Sequence, residues 1–289
     1  MAAFFMRCFS RFLLLLLLSF VGLNCNKPEP IPSYLYIKPF VMNVKSDGSE
    51  GSAASKITDA WVYVDENLIG VFEIPAKIPV LYWGAHKIRI KAGIKSNGQS
   101  ASRAPYPFYR DFEITRNLTE GEITEIEPQT SYAGFARFVW LENFETLDFS
   151  LEKSGKGQII PEKSSQSFEG NYSAHATLTA GTNAFECASR LSFTLPKSGT
   201  QVWLEVNFKT DFPIIVGLYA GTGLDMLQTG MVTLAPTVEW NKIYIDLTEG
   251  VSSATNLQNF KVFFGCVRNT EEAQSTHQFF VDNIKLVTI

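Results

Sequence analysis

The sequence has little of what most catalytic and metal centres are built from. Its 289 residues include 3 histidines and 4 cysteines, and it contains no Gly-x-Ser-x-Gly elbow, phosphate-binding glycine loop or Cys-x-x-Cys pair. His86, His175 and His277 stand apart, with no metal-ligand spacing between them. A catalytic centre needs a base, a nucleophile and a group that orients them. We therefore assign no catalytic residue and predict a protein that is not an enzyme.

An excess of basic charge is also lacking. The chain has 25 Lys and Arg against 29 Asp and Glu. Without Arg7 and Arg11, which belong to the N-terminal segment described next, 23 basic residues remain and the net charge is near −6. Nucleic-acid recognition depends on clustered positive charge, so we predict no nucleic-acid partner. The chain also lacks a polybasic segment that would attract it to anionic lipid, so membrane attachment would depend on acyl chains.

The N-terminal segment combines a basic start, a short apolar run and a cysteine. Arg7 and Arg11 precede the leucine-rich residues 12–18, which are too few to span a bilayer, and Cys25 is followed by the proline-rich residues 26–33. This pattern resembles a Bacteroidetes-type lipoprotein signal peptide. The resemblance implies a signal peptide at residues 1–24, acylation (palmitate) of Cys25, a tether at residues 25–33, and an outer-membrane lipoprotein on the periplasmic or cell-surface face. An ordinary secretory signal and an uncleaved anchor are the alternatives.

The sequence of residues 34–131 predicts short strands separated by turns, because its apolar residues do not recur at helical spacing. The chain is rich in Phe, with 23, and in β-branched residues. Residues 62–70, 78–81 and 84–90 follow the order of a PEGA-type sequence, with a turn at Asp65-Glu66-Asn67. The first half therefore resembles a PEGA-like β-sandwich. That resemblance implies a surface-associated interaction or spacer module.

Residues 132–289 predict a second all-β domain. Strands are expected at residues 173–178, 186–195, 202–209, 214–219, 242–247, 260–266 and 279–287. Short strands at near-regular spacing favour an antiparallel sandwich or jelly roll. Residues 143–145, 167–174 and 280–286 resemble the carbohydrate-binding-module jelly rolls. The resemblance implies a structural calcium ion held by Glu145 and Asp282, because carboxylate oxygens suit Ca²⁺; two solvent-exposed strand ends are the alternative.

A candidate ligand-binding face lies on the polar side of the second-half strands. Trp203, Glu205 and Asn207 alternate along one strand, and Tyr244 has the same parity on another. An aromatic ring with flanking polar groups suits a saccharide, and Tyr219 and Trp240 are further aromatic candidates. The alternative is that this face packs under a loop or under the first half. The aromatic residues 106–109 of the first half are expected to form either an interface patch or the small core of a loop.

Two cysteines remain in the second half. Cys187 shares parity with Phe185, and Cys266 shares parity with Phe264, so both are expected to point toward a core. Either they form a disulfide or they are two buried small hydrophobic residues, because spacing along the chain does not determine distance.

The sequence thus predicts an all-β protein of two antiparallel β-sandwich domains, anchored at a membrane. The leading function is non-enzymatic binding of a glycan or an envelope protein. The alternative is a structural accessory subunit of an outer-membrane secretion, motility or glycan-uptake complex. A hydrolase ranks third, since carboxylates are numerous enough to supply a catalytic pair.

Overall fold

The computed structural model describes residues 29–223, 226–269 and 271–289. The predicted signal peptide and Cys25 lie outside these residues. Within them almost all regular structure is β-strand, arranged in five sheets, which confirms the all-β prediction. In this part of the chain, no helix has the length and apolarity needed to cross a bilayer.

The first half is a small β-sandwich. Its strands are β1 (Ser33–Ile37), β2 (Val41–Asn43), β3 (Asp59–Val64), β4 (Asn67–Glu73), β5 (Ala76–Val80), β6 (Gly84–Lys95), β7 (Arg103–Pro105), β8 (Phe112–Leu118), β9 (Ile123–Ile126) and β10 (Gln129–Ser131). A five-stranded sheet has the order β4-β3-β6-β7, with β8 also paired to β6, and a three-stranded sheet has the order β5-β1-β9. Alternate residues of these strands, such as Val62 and Ile88, form the core between the two sheets.

The β3–β4 hairpin turns at Asp65 and Glu66, within the predicted turn, and Asn67 already belongs to β4. Asp65 and Glu66 have positive φ, 46° and 65°, the conformation of the type I′ turn that matches strand twist. The Asp65 carboxylate stabilises the turn, since it accepts hydrogen bonds from the backbone N–H of Lys87 at 3.0 Å and from His86 Nδ1 at 2.6 Å. These contacts offset the cost of placing two non-glycine residues in the left-handed region.

The second half is a two-sheet sandwich with the layout of a jelly roll. Its strands are β11 (Arg137–Glu142), β12 (Leu151–Lys153), β13 (Glu162–Ser164), β14 (Ser173–Leu178), β15 (Ala184–Ser189), β16 (Val202–Thr210), β17 (Ile214–Ala220), β18 (Leu227–Leu234), β19 (Asn241–Asp246), β20 (Lys261–Val267) and β21 (His277–Thr288). One sheet has the order β13-β14-β21-β16-β19, and β11 pairs with the C-terminal part of β21 on the same edge as β14. The other has the order β12-β15-β20-β17-β18. A short helix, α1 (Thr248–Ser253), follows β19.

The core of the second half lies between its two sheets. Val202, Leu204, Val206 and Phe208 alternate along β16 and are all buried there, so the period-two pattern predicted this strand correctly. The predicted strand at residues 186–195 ends at Ser189, and β18 was not predicted. Its sequence, LQTGMVTL, mixes polar and apolar residues because it is an edge strand.

A third cluster of buried residues joins the two halves. Tyr106, Phe108, Tyr109 and Tyr132 from the first half and the connecting segment pack against residues of β16, β19 and β21. Backbone hydrogen bonds add to the packing, because the N–H of Asn97 donates to the carbonyl oxygen of Tyr244 at 2.8 Å. The aromatic residues 106–109 are therefore an interface patch, the first of the two predicted alternatives.

We expect Glu66→Gly to stabilise the protein. Glycine removes the steric cost of φ 65° at this position. The ion pair with Arg89 is lost, but its Glu66 side chain is 59% exposed, so the pair contributes little. The free energy of unfolding in urea should rise by about 0.5 to 1 kcal/mol. Glu66→Ala is the matched control, since it removes the same ion pair but keeps the strained φ. A Gly variant no more stable than the Ala variant would contradict this account.

Candidate ligand-binding cleft

The predicted ligand-binding face is covered by the first half. Trp203, Glu205, Asn207 and Tyr244 do share one face of the sheet, as their parity predicted, but their exposed fractions are 4, 0, 0 and 1%. The ring of Tyr106 meets those of Trp203 and Tyr244 at centroid distances of 5.4 and 4.8 Å. The prediction of an exposed saccharide face was wrong, and the alternative, packing under the first half, is what the structure shows.

Glu205 is the centre of a buried polar network at this junction. Its Oε1 accepts hydrogen bonds from the hydroxyls of Tyr106 at 2.9 Å and Tyr132 at 2.7 Å. Its Oε2 lies 2.9 Å from Lys242 Nζ, in an ion pair that is poorly directed as a hydrogen bond. Lys285 Nζ donates to the Tyr132 hydroxyl at 3.1 Å. Asn207 is next to this network and neither of its amide atoms has a hydrogen-bond partner among the described residues.

The charged groups of this network shift the pKa values of Glu205 and Lys285. Burial by itself would raise the pKa of Glu205, but the ammonium groups of Lys242 and Lys285 and the Tyr132 hydroxyl hold that pKa below its usual value. Burial lowers the pKa of Lys285 to about 8, although Glu205 opposes the change. The Glu205 carboxylate is therefore ionised and compensated, and the junction is a place for packing rather than for an incoming ligand.

Cys187 and Cys266 are free thiols buried in the second-half core. In the pairing of β15 with β20, Cys187 stands opposite Phe264 and Cys266 stands opposite Phe185, so the two cysteines are diagonal neighbours rather than a directly facing pair. Burial raises the pKa of Cys266 to about 11 and that of Cys187 further. The disulfide alternative is thus wrong, and the two residues are small buried hydrophobic side chains.

Glu145 and Asp282 hold the same loop. Glu145 Oε1 accepts the backbone N–H groups of Asn171 at 2.8 Å and Tyr172 at 2.9 Å. Asp282 Oδ2 accepts that of Phe168 at 2.9 Å, and burial raises the pKa of Asp282 to about 6. Such N–H donors compete with a cation for the oxygen lone pairs, so this arrangement does not fit a calcium ion. Within residues 29–223, 226–269 and 271–289, no group of three or more His, Cys, Asp or Glu is arranged to hold a metal.

The free face of the jelly roll belongs to its other sheet and contains a cleft of about 620 Å³. This size falls within the range of small-molecule binding sites. Strands β15, β20, β17 and β18 form the floor of the cleft, and the segment after β12 forms one wall. The cleft is therefore on the opposite side of the jelly roll from the first half.

Glycine residues make the cleft deep. Across the sheet, Phe263 stands opposite Gly217, and Gly217 stands opposite Gly230, so one row has a ring followed by two positions without side chains. A Cβ atom on Gly217 would lie 2.5 Å from Phe263 Cε1 and 2.2 Å from the carbonyl oxygen of Thr229. Only glycine at position 217 therefore leaves room for the Phe263 ring.

Glu186 is the fixed polar group of the cleft. Its Oε1 accepts hydrogen bonds from the hydroxyls of Tyr219 and Ser154, the latter at 2.9 Å, and its Oε2 accepts one from Gln228 Nε2 at 2.9 Å. Burial first, and then the neighbouring Glu186, raise the pKa of Tyr219 well above its usual value, so its hydroxyl stays protonated and donates. Among the described lining residues, Glu186 is the only carboxylate.

Apolar side chains flank this polar group. The Tyr219 and Phe263 rings lie 5.1 Å apart, and Ile215, Met226 and Val267 are 40, 47 and 77% exposed at the margin. An aromatic and aliphatic floor with a carboxylate, an amide and a phenol matches a ligand that has one apolar face and several hydroxyl groups. Of these residues, the sequence singled out Tyr219 alone; Glu186 and Gln228 were missed because an ordinary polar residue in a strand gives no signal.

Comparison with known proteins gives structural neighbours of this chain. No family model matches the sequence, and no curated protein matches it. One similar solved structure is a xylan-binding domain of carbohydrate-binding module family 22, with 12% identity, coverage of 52% of this chain and 94% of that chain, and a TM-score of 0.37. A second is the family 11 module of the cellulosomal cellulase Lic26A-Cel5E of Clostridium thermocellum, with 14% identity, coverage of 54% and 96%, and a TM-score of 0.38. A third is a carbohydrate-binding module of the β-sandwich superfamily with promiscuous specificity, with 15% identity, coverage of 79% and 84%, and a TM-score of 0.38. Structural similarity at these identities and TM-scores does not show what this chain binds.

Glu205→Gln should strongly destabilise the protein. The amide cannot compensate Lys242, so a buried charge is left unpaired next to a new N–H donor. We expect a loss of about 3 to 5 kcal/mol in the free energy of unfolding, measured in urea. The double variant Glu205→Gln/Lys242→Met removes the stranded charge and should recover most of the loss. A single variant that costs less than about 1 kcal/mol would show that the network contributes little.

Lys285 should make stability depend on pH. Its pKa of about 8 in the folded chain is below the ordinary value of 10.5, so the unfolded chain binds more protons between these values and stability rises with pH there. Unfolded tyrosines and cysteines oppose this trend, and the comparison with Lys285→Met cancels their contribution. The free energy of unfolding of the wild type, minus that of the variant, should increase from pH 8 to pH 9.5. A flat difference would contradict the lowered pKa.

Proposed function

We propose that this chain is a non-enzymatic carbohydrate-binding protein of the cell envelope, in which the cleft around Glu186 takes the sugar. The observation that carries the proposal is the cleft itself, a pocket of about 620 Å³ on the uncovered sheet of a jelly roll. Sugar rings have an apolar face of C–H groups and an equatorial set of hydroxyls. The Tyr219–Phe263 floor suits the former, and Glu186 and Gln228 suit the latter.

Hydrogen bonding supports a polyhydroxylated ligand over a purely apolar one. Glu186 Oε1 is already filled by the donors Tyr219 and Ser154, whereas Oε2 accepts only from Gln228 and has a lone pair left for a further donor. A hydroxyl group can donate to the carboxylate and accept from the exposed Gln228 amide, whereas an aliphatic ligand would leave both without partners. Charge-assisted hydrogen bonds of this kind are the stronger ones.

The proposed location is the outer membrane, through a lipid at Cys25. Support comes from the order of Arg7 and Arg11, the apolar residues 12–18, Cys25 and the proline-rich residues that follow. In this arrangement the folded chain is displayed at the membrane as a binding module, on the periplasmic or cell-surface face.

A second role, as an accessory subunit of an envelope complex, is favoured by the apolar margin of the same cleft. Met226 is 47% exposed and Val267 is 77% exposed, and exposed apolar residues beside a groove suit a protein partner. Crosslinking from position 267 in intact membranes distinguishes the two roles, because a subunit would give one defined protein adduct.

Glu186→Gln should weaken sugar binding about tenfold or more, since each hydrogen bond to a charged group contributes about 1.5 to 3 kcal/mol. A glycan array identifies the ligand, and titration calorimetry measures the affinity of wild type and variant. Glu239→Gln, an exposed carboxylate outside the cleft, is the matched control and should bind like the wild type. Absence of binding to every glycan, or equal affinity of the Glu186 and Glu239 variants, would overturn the proposal.

A further inference from the structure

Four exposed apolar side chains gather at one end of the first half. Ile31, Leu81, Trp83 and Ile123 are 54, 55, 45 and 51% exposed, and together we call them the apolar tip. Trp83 Nε1 donates to the carbonyl oxygen of Ile31 at 3.2 Å. The Cγ2 atom of Ile31 lies 4.0 Å from where a Cβ on Gly121 would be, which places Ile31 between the Trp83 loop and the Ile123 strand.

Strand pairing explains why these residues meet. Strand β1 pairs antiparallel with β5, with Ser33 opposite Val80, and parallel with β9, with Tyr34 opposite Ile123. The start of β1, the end of β5 and the start of β9 therefore lie at the same edge of the sandwich. Ser33 Oγ donates to the carbonyl oxygen of Tyr82 at 2.9 Å and holds the loop that carries Leu81 and Trp83 against this edge.

The apolar tip is also where the chain enters the fold. Ile31 is two residues before β1 and six positions after Cys25. An extended chain covers about 3.3 to 3.6 Å per residue, so a lipid on Cys25 keeps Ile31 within about 20 Å of the membrane. We propose that the apolar tip rests on the lipid bilayer and sets the orientation of the folded chain on it. This inference rests on the proposed attachment at Cys25 and is independent of what the Glu186 cleft binds.

The side chains of the apolar tip are of the kinds that proteins place at the interface between membrane and water. Tryptophan combines an apolar ring with a polar N–H and is enriched where membrane and water meet. Isoleucine and leucine side chains add apolar area that a bilayer would bury. The charges near the tip are not predominantly basic, since Glu29, Glu120 and Glu122 are exposed at this end and Lys77 lies over the ring of Tyr34, which stands opposite Ile123. The contact therefore depends on apolar burial, and anionic lipid should not strengthen it.

Tryptophan quenching in vesicles tests the proposal. The full chain, purified with its lipid, is reconstituted in phosphatidylcholine vesicles whose acyl chains are brominated near the headgroup, and a flotation assay reports attachment. Of the 5 tryptophans, Trp83 should account for most of the quenching. Trp83→Phe should abolish that component, whereas Trp240→Phe, a change in the second half, should leave it intact.

Substitution of the other tip residues gives a second readout. The triple variant Ile31→Ser/Leu81→Ser/Ile123→Ser should lose most of the Trp83 quenching while it still floats. The control triple Leu191→Ser/Val238→Ser/Val267→Ser removes apolar residues of the second half that are even more exposed, at 65, 84 and 77%, and should keep the quenching. A chain that floats but shows equal quenching in wild type and Trp83→Phe overturns the tip alone. A chain that does not float overturns the attachment and the tip with it.

Discussion

The ion pair between Glu205 and Lys242 is the interaction on which the arrangement of the two halves depends. Both side chains are almost completely buried, and removing such charges from water is costly unless each is fully compensated. Compensation comes from both sides of the junction, because Tyr106 belongs to the first half, Tyr132 to the connection, and Lys242 to the second-half sheet. Separation of the halves would strand these groups and expose the aromatic rings around them.

This closed junction decides which surface is left for a ligand. A jelly roll has two outer sheet faces, and here the first half covers much of one of them, including Trp203 and Tyr244. The opposite face is free, and it is there that Glu186, Tyr219 and Gln228 converge. The fold thus leaves the proposed recognition to the sheet that the first half does not cover.

Sequence patterns predicted the strands better than the surfaces. Alternation along β16 identified which residues of that strand share a face, and the turn at Asp65-Glu66 was evident from its flanking strands. Parity does not say what covers a face, however, and Trp203 and Tyr244 were assigned to solvent because the contact with Tyr106 is about a hundred residues distant in sequence. The Glu186 cleft depends on glycines that become neighbours only through strand register, Gly217 beside Gly230 and Phe263, and no local pattern reveals that row.

The row of Gly217 and Gly230 beside Phe263 also restricts which mutations the cleft can accept. A side chain at Gly217 would collide with the backbone of β18 and with the Phe263 ring, so this position cannot change without remaking the sheet. The exposed residues at the margin, Gln228, Met226 and Val267, have no such restraint. Natural variants of this protein should therefore keep the floor of the cleft and diverge at its margin, and a change of preferred ligand would be achieved by mutations in β18 and at the end of β20.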